Sequence, residues 1–193
     1  RRLYVVHHAD TVGGLGLAGP AGIETRVTHL AIRAEQQARL QAAMPGAPVL
    51  LLGLASPAPA GLRPRRLPPA SASGTFRPQV TVTAGNPAKF RGQGDMAFGA
   101  VIARVLAGTG GRHLHFGPTP EGFVKAARRA LEDAGLDPDR LAFPGEVASV
   151  AEALVTHKAD AFLASFPVGG ALTLIEAAAA GVPLVLHDSA AGD

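Results

Sequence analysis

"SFPVGGALTLIEAAAAGVPLVLHD" (165–188) runs from a short apolar stretch through a glycine pair into an alanine-rich segment, breaks at Gly181-Val-Pro, and ends in a second apolar stretch. It reads as strand, turn, helix, turn, strand, with strands at 161–166 and 183–187 and a helix at 171–181. A helix that joins two strands implies parallel pairing through a right-handed crossover. The question is whether this unit stands alone or repeats.

It repeats upstream. The spacing predicts a strand at 79–85, a helix at 94–109, a strand at 112–117, a helix at 121–135, a strand at 141–145 and a helix at 147–159. Five strands alternating with four helices give an α/β fold, a doubly wound parallel sheet of Rossmann-like type covered on both faces. Ligands of such sheets bind beyond the carboxyl ends of the strands, where loops run into helix N-termini.

Further back, "RLYVVHH" (2–8) reads as a strand, and "TVGGLGLAGPAG" (11–22) as a glycine-rich loop. The spacing of Leu30, Ala34, Gln37, Leu40 and Ala43 predicts one helix over 27–44, and "PVLLLGLA" (48–55) a short buried strand. The proline- and arginine-rich stretch 56–78 excludes regular structure and reads as a linker and a hinge. The expected organisation is therefore 1–55 as the end of one domain, 56–78 as the linker and 79–193 as a second domain. The chain opens on Arg1-Arg2 and closes directly after a strand, so it is expected to be a piece of a longer protein.

Hydrophobic residues make up 47 % of the chain and charged residues 17 %, which places it among folded globular proteins rather than disordered ones. No apolar stretch reaches membrane-spanning length and no targeting pattern appears, so a cytoplasmic protein is expected. The absence of cysteine excludes disulfides and thiolate ligands or nucleophiles. A net charge of +3 and a pI of about 9.9 would fit nucleic acid, but no aromatic-studded sheet accompanies the arginines. A phosphorylated small molecule is the better match, and no nucleic-acid partner is expected.

The candidate site gathers at one sheet edge. Gly169 and Gly170 let backbone approach a ligand, and the amides of Ala171, Leu172 and Thr173 with the positive end of a helix dipole favour an anion; a plain tight turn is the alternative. Glu176 would accept hydrogen bonds from sugar hydroxyls further along the ligand, or simply favour the helix dipole as an acid in its early turns. Gly85 and Asn86 end the first strand of the domain, and Lys89 just beyond carries a compact charge suited to phosphate, unless it is only solvated. Phe116, Phe143 and Pro144 stand in short loops that could line a flat slot for a nucleobase.

Other signals lead elsewhere. "GLGLAG" (14–19) matches a dinucleotide fingerprint, but Pro20 interrupts the helix start and no acid ends the next strand. The phosphate-binding pattern G-x-x-x-x-G-K-[ST] is absent. His113 and His115 share one strand face and could hold a metal, but no third ligand is near in sequence, so a strand-end or loop role is expected instead, and no metal site. His7, His8 and Asp10 are candidates for acid–base catalysis, though adjacent histidines on a strand face opposite ways.

With these pieces in place, residues 79–188 resemble the C-terminal, donor-binding domain of GT-B glycosyltransferases. "TAGNPAKF", "DRLAFPGEV", "ADAFLASFPVGGALTLIEA" and "AGVPLV" carry the resemblance, and the upstream strand, glycine loop, helix and strand resemble the close of that family's N-terminal domain. The resemblance implies transfer of a sugar from a nucleotide sugar, UDP-linked, to a protein or glycan acceptor, with no resident cofactor. It implies that Lys89 and the amides from Gly170 to Thr173 hold the donor diphosphate, Glu176 the ribose, and the Phe143–Pro144 backbone the base. Many retaining members carry a second glutamate eight residues before the one matching Glu176; Val168 stands there, and "GGALT" is closer to inverting protein glucosaminyl or glucosyl transferases. Three rivals share the architecture or the site: a nucleotide-sugar 2-epimerase, a catalytically inactive binding subunit, and a dehydrogenase.

Overall fold

The computed structural model describes residues 3–7, 27–31, 33–53, 56, 58–66, 77–167, 169–170 and 172–187. The chain divides into two compact units, Arg1–Ala55 and Ser56–Asp193.

In the first unit, β1 (Leu3–His7), β2 (Val27–Ala31) and β3 (Val49–Leu51) form a parallel sheet in chain order, with Leu3 opposite Val27 and His29 opposite Val49. One helix, α1 (Ala34–Ala43), joins the last two strands. The helix expected over 27–44 is thus corrected: its first residues form β2. His29 and Ala31 are buried while Thr28 and Leu30 are half-buried, a period of two that the apolar spacing of the longer window conceals. Leu40 of α1 closes a small core with Ala31 and Val49. His8, Asp10 and the glycine-rich loop 11–22 lie outside the described residues.

The second unit carries β4 (Val80–Ala84), α2 (Phe98–Thr109), β5 (Arg112–Phe116), α3 (Glu121–Asp133), β6 (Leu141–Gly145), α4 (Val150–Thr156), β7 (Ala161–Leu163), α5 (Leu172–Ala179) and β8 (Leu184–Val185). The five strands pair in parallel in the order β6-β5-β4-β7-β8. This is a doubly wound, Rossmann-like α/β sheet.

All five residues of β4 are buried, because helices cover both faces. Val80, Val82 and Ala84 face a core shared with α4 and α5, together with Leu114, Phe116 and Phe162. On the opposite face, α2 and α3 bury Ile102, Leu106, Ala127 and Leu131 around Phe90, Phe98 and Phe166. A methyl group at Gly99 would stand 2.6 Å from Ala130 Cβ, so glycine lets α2 and α3 approach closely.

Helix α5 stops where the sequence implies. Gly181 takes a left-handed φ of 68°, and the Gly181 and Val182 amides donate to the carbonyls of Ala178 and Ala177. The described part of the stretch read as a linker packs on this unit. The Arg65 amide donates to the Ala180 carbonyl at 2.8 Å, and its guanidinium donates to Asp160 Oδ1 at 3.0 Å. Asp160 Oδ2 in turn accepts the amides of Gln79 and Val80, both at 2.9 Å, and so fixes the start of β4.

Candidate functional site

After β4 the chain builds outward through β5 and β6, then returns through β7 to the other side of β4. The carboxyl ends of β4 and β7 therefore flank a topological switch point, the place where open sheets of this kind leave a crevice. Two turns meet there.

The first turn leaves β4 at Gly85, whose φ of 146° is accessible to glycine and strained for other residues. Its amide donates to the Phe116 carbonyl at 2.9 Å. Asn86 Oδ1 accepts the Ala88 amide at 2.8 Å and caps a single 3-10 turn, Pro87–Lys89. Lys89 at its end is exposed, and among the described residues it has no ion pair.

The second turn follows β7 through Ser165, Phe166, Pro167 and the glycine pair into α5. Gly170 is buried, and a Cβ placed on it would lie 2.8 Å from Thr173 Oγ1, 3.4 Å from Ser165 Oγ and 3.7 Å from Lys89 Nζ. The structure thus brings Lys89, Gly170 and Thr173 together from the two ends of the domain. The result is a cradle with one cation, two hydroxyls and bare backbone at the start of a helix, and this donor set matches an anion. Gly169 and Leu172 are exposed beside it, while Ala171 lies outside the described residues.

Glu176, one turn further along α5, is half-buried and already engaged. Its Oε2 accepts the amide of Val150 at 2.7 Å and that of Ala151 at 3.2 Å, and the Ser149 hydroxyl lies at 3.4 Å. Those amides open α4, so Glu176 acts as a helix cap supplied by a neighbouring helix. These hydrogen bonds all fall on Oε2.

The nucleobase candidates separate. Phe143 is half-buried against the ring of Phe123 and Pro144 is exposed, both near the carboxyl end of β6. Phe116 is corrected: it is 1 % exposed and packs in the α4–α5 core with its ring 5.4 Å from that of His157. Alternate residues of a strand face opposite ways, so Phe116 turns to the α4–α5 core while His115 before it turns to the α2–α3 core, and helices cover both. His7 is the last residue of β1, at a carboxyl strand end.

The expectation of a strand-end or loop role for His113 and His115 is also corrected. Both are fully buried inside β5. Thr81 Oγ1 lies 2.8 Å from His113 Nδ1, Thr83 Oγ1 lies 3.0 Å from His113 Nε2, and the same Thr83 oxygen lies 2.8 Å from His115 Nδ1. This polar ladder joins β4 to β5, and burial keeps both of its rings neutral. Burial, with the neighbouring His115 adding to it, lowers His113 to about 3. Burial likewise lowers His115 to about 4, opposed in part by the Gly85 carbonyl. Among the described residues no three His, Asp or Glu side chains are grouped as a metal would need, and no helix is long and apolar enough to cross a membrane.

Sequence reasoning missed Ser165 and the ladder. The ladder had a signal: "VTVT" and "HLH" both alternate, and pairing them in register sets Thr81 opposite His113 and Thr83 opposite His115. A mostly apolar cleft of about 320 Å³ opens between α2 and β8, lined by Met96, Val101, Val105, Phe166 and Leu186 among others.

No family model matches the chain, and comparison with curated proteins gives no match either. Among solved structures, the chain is similar to the K341M mutant of the Thermobaculum terrenum O-GlcNAc transferase, with a TM-score of 0.53 and 18 % identity over 82 % of this chain. That match covers 29 % of the transferase chain. A universal stress protein in complex with cAMP aligns over 57 % of this chain and 97 % of its own at 11 % identity, with a TM-score of 0.38 that carries no argument. What the first likeness establishes is the fold: a Rossmann-like α/β domain of GT-B type.

Proposed function

We propose that this chain is the donor-binding part of a nucleotide-sugar-dependent glycosyltransferase that uses a UDP-linked donor and needs no bound metal. One observation carries the proposal: Lys89 Nζ converges with Gly170 and Thr173 at the switch point of the sheet. In sugar transfer the bond from the anomeric carbon to the diphosphate oxygen breaks, and negative charge builds on the departing diphosphate. A lysine and helix-start amides held in place before the reaction stabilise that charge without reorganising. Phe143 and Pro144 at the end of β6 would meet the base, and Glu176 the ribose through Oε1. For the catalytic base, His7, His8 and Asp10 of the first unit are the candidates.

A thermal-shift panel of UDP, GDP, ADP and NAD against this chain tests the reading. UDP at a hundred times its dissociation constant should add about 2.7 kcal/mol to stability, whereas NAD should add nothing. Lys89→Ala should fold as well as the parent, because the side chain is exposed, and should weaken binding of UDP and of inorganic pyrophosphate about tenfold or more. A panel in which only NAD stabilises the chain would favour the dehydrogenase reading over this one, and equal responses from the parent and Lys89→Ala would remove the diphosphate from this cradle.

A further inference from the structure

Lys89 stands on a short exposed turn. Among the described residues the hydrogen bonds of that turn run within it: Ala88 N to Asn86 Oδ1, Lys89 N to Asn86 O, and Phe90 N to Pro87 O. None of these bonds reaches the second turn, yet Lys89 Nζ lies 3.7 Å from where a Cβ on Gly170 would stand. The separation of the two turns themselves rests on what packs beneath them.

The next residue supplies it. Phe90 is 5 % exposed and meets Phe166, 4 % exposed, edge to face, with ring centroids 5.3 Å apart and planes at 82°. Phe90 adjoins Lys89, and Phe166 lies just before Pro167 and the glycine pair. Each ring is therefore rooted in one half of the cradle. The contact extends further, because Phe90 also meets His115 edge-on at 5.2 Å, and His115 meets Phe143 at 6.0 Å. A chain of rings links all three loops that face the ligand.

We propose that the Phe90–Phe166 pair is the positioning element of the cradle, fixing the distance between the Lys89 turn and the glycine-pair turn, and so setting diphosphate affinity although neither ring touches the anion. This rests on the anion reading of the preceding subsection. Edge-to-face rings have a defined geometry that aliphatic side chains do not impose, so leucine would keep the core apolar while freeing the two turns to drift apart.

The test is calorimetric titration of the full chain with inorganic pyrophosphate, well below each variant's melting temperature. Phe90→Leu and Phe166→Leu should each weaken binding about tenfold. Adding Lys89→Ala to Phe166→Leu should cost less than about threefold more, because a lysine already displaced has little left to lose. Ile102→Val, in the same core but on neither turn, should lower the melting temperature and leave affinity alone. Should leucine unfold the chain, Phe166→Met carries the same expectation. Ring variants that bind like the parent, or a full Lys89→Ala penalty persisting in Phe166→Leu, would overturn the proposal and spare the cradle. A parent chain that does not bind pyrophosphate at all would overturn both.

Discussion

Gly170 has a φ outside the left-handed region, so backbone freedom does not explain a glycine there; space does. A methyl group would press on Thr173 Oγ1 at 2.8 Å and crowd Ser165 Oγ at 3.4 Å, and the hydroxyl of Thr173 can yield by rotating. Gly170→Ala should therefore fold at a cost of about 1 kcal/mol or less. Its affinity for pyrophosphate should fall about tenfold, since the methyl occupies the cradle and the displaced hydroxyl no longer faces it. Calorimetry checks both quantities, and an unchanged dissociation constant would take Gly170 out of the site. The glycine pair, Thr173 and Lys89 are legible in the sequence because turn chemistry is local. Their meeting is not, since Lys89 and Gly170 come together only through the strand order. Phe90 and Phe166 look like any buried aromatic until the topology places them at the roots of two converging turns.

At the scale of elements, α4 is seven residues long and needs its ends satisfied to persist. Its first three amides all have partners. Glu176 Oε2 takes those of Val150 and Ala151, and the Ser149 hydroxyl takes that of Glu152 at 3.3 Å. Helix α5 thereby closes the start of α4, and the two pack on the same core. Glu176→Ala should cost about 1–2 kcal/mol, the usual loss on removing a cap, and Glu176→Gln should recover part of it because an amide oxygen still accepts. The same variants separate the two roles of this side chain. If Oε1 also holds a ribose, Glu176→Ala lowers UDP affinity about fivefold or more and leaves pyrophosphate within twofold; equal small changes for both ligands would leave it as a cap alone. The sequence shows an acid on a helix face but not which neighbour it meets, because the α4–α5 contact is tertiary. Element boundaries carry the same lesson. The alternation of the second unit is read correctly because α2 and α3 are long enough to show their period and glycines mark where its helices stop, at Gly110, Gly135 and Gly181. The short β2 is absorbed into the following helix because five residues of period two lie inside a window dominated by period 3.6.

The whole molecule should respond to acid through the ladder that joins β4 to β5. His113 and His115 are neutral in the folded chain, lowered to about 3 and about 4, whereas an unfolded histidine titrates near 6.5. Below pH 6.5 the unfolded chain binds protons that the folded chain refuses, so stability is intact above that pH and falls as pH drops toward 4. Each histidine contributes a slope of up to about 1.4 kcal/mol per pH unit. Two of them over two units reach at most the lower end of the roughly 5–15 kcal/mol that holds a typical domain together. Among the described residues no charged partner relieves the penalty: His113 faces Thr81, Thr83, His115 and the ring of Phe98, and His115 faces Thr83, the Gly85 carbonyl and the rings of Phe90, Phe98, Phe123 and Phe143. Urea unfolding at pH 7.5, 6.5, 5.5 and 4.5 should therefore show a steep loss below pH 6.5. His113→Gln and His115→Gln, which keep hydrogen-bonding groups opposite the threonines but cannot be protonated, should each flatten the curve by about one proton. Because Asp160 and Glu176 remain in every variant, the difference between parent and variant isolates the ring protons. A slope that stays the same in both variants would mean that the ladder already carries a proton when folded, and that the neutral-ring account of this core is wrong.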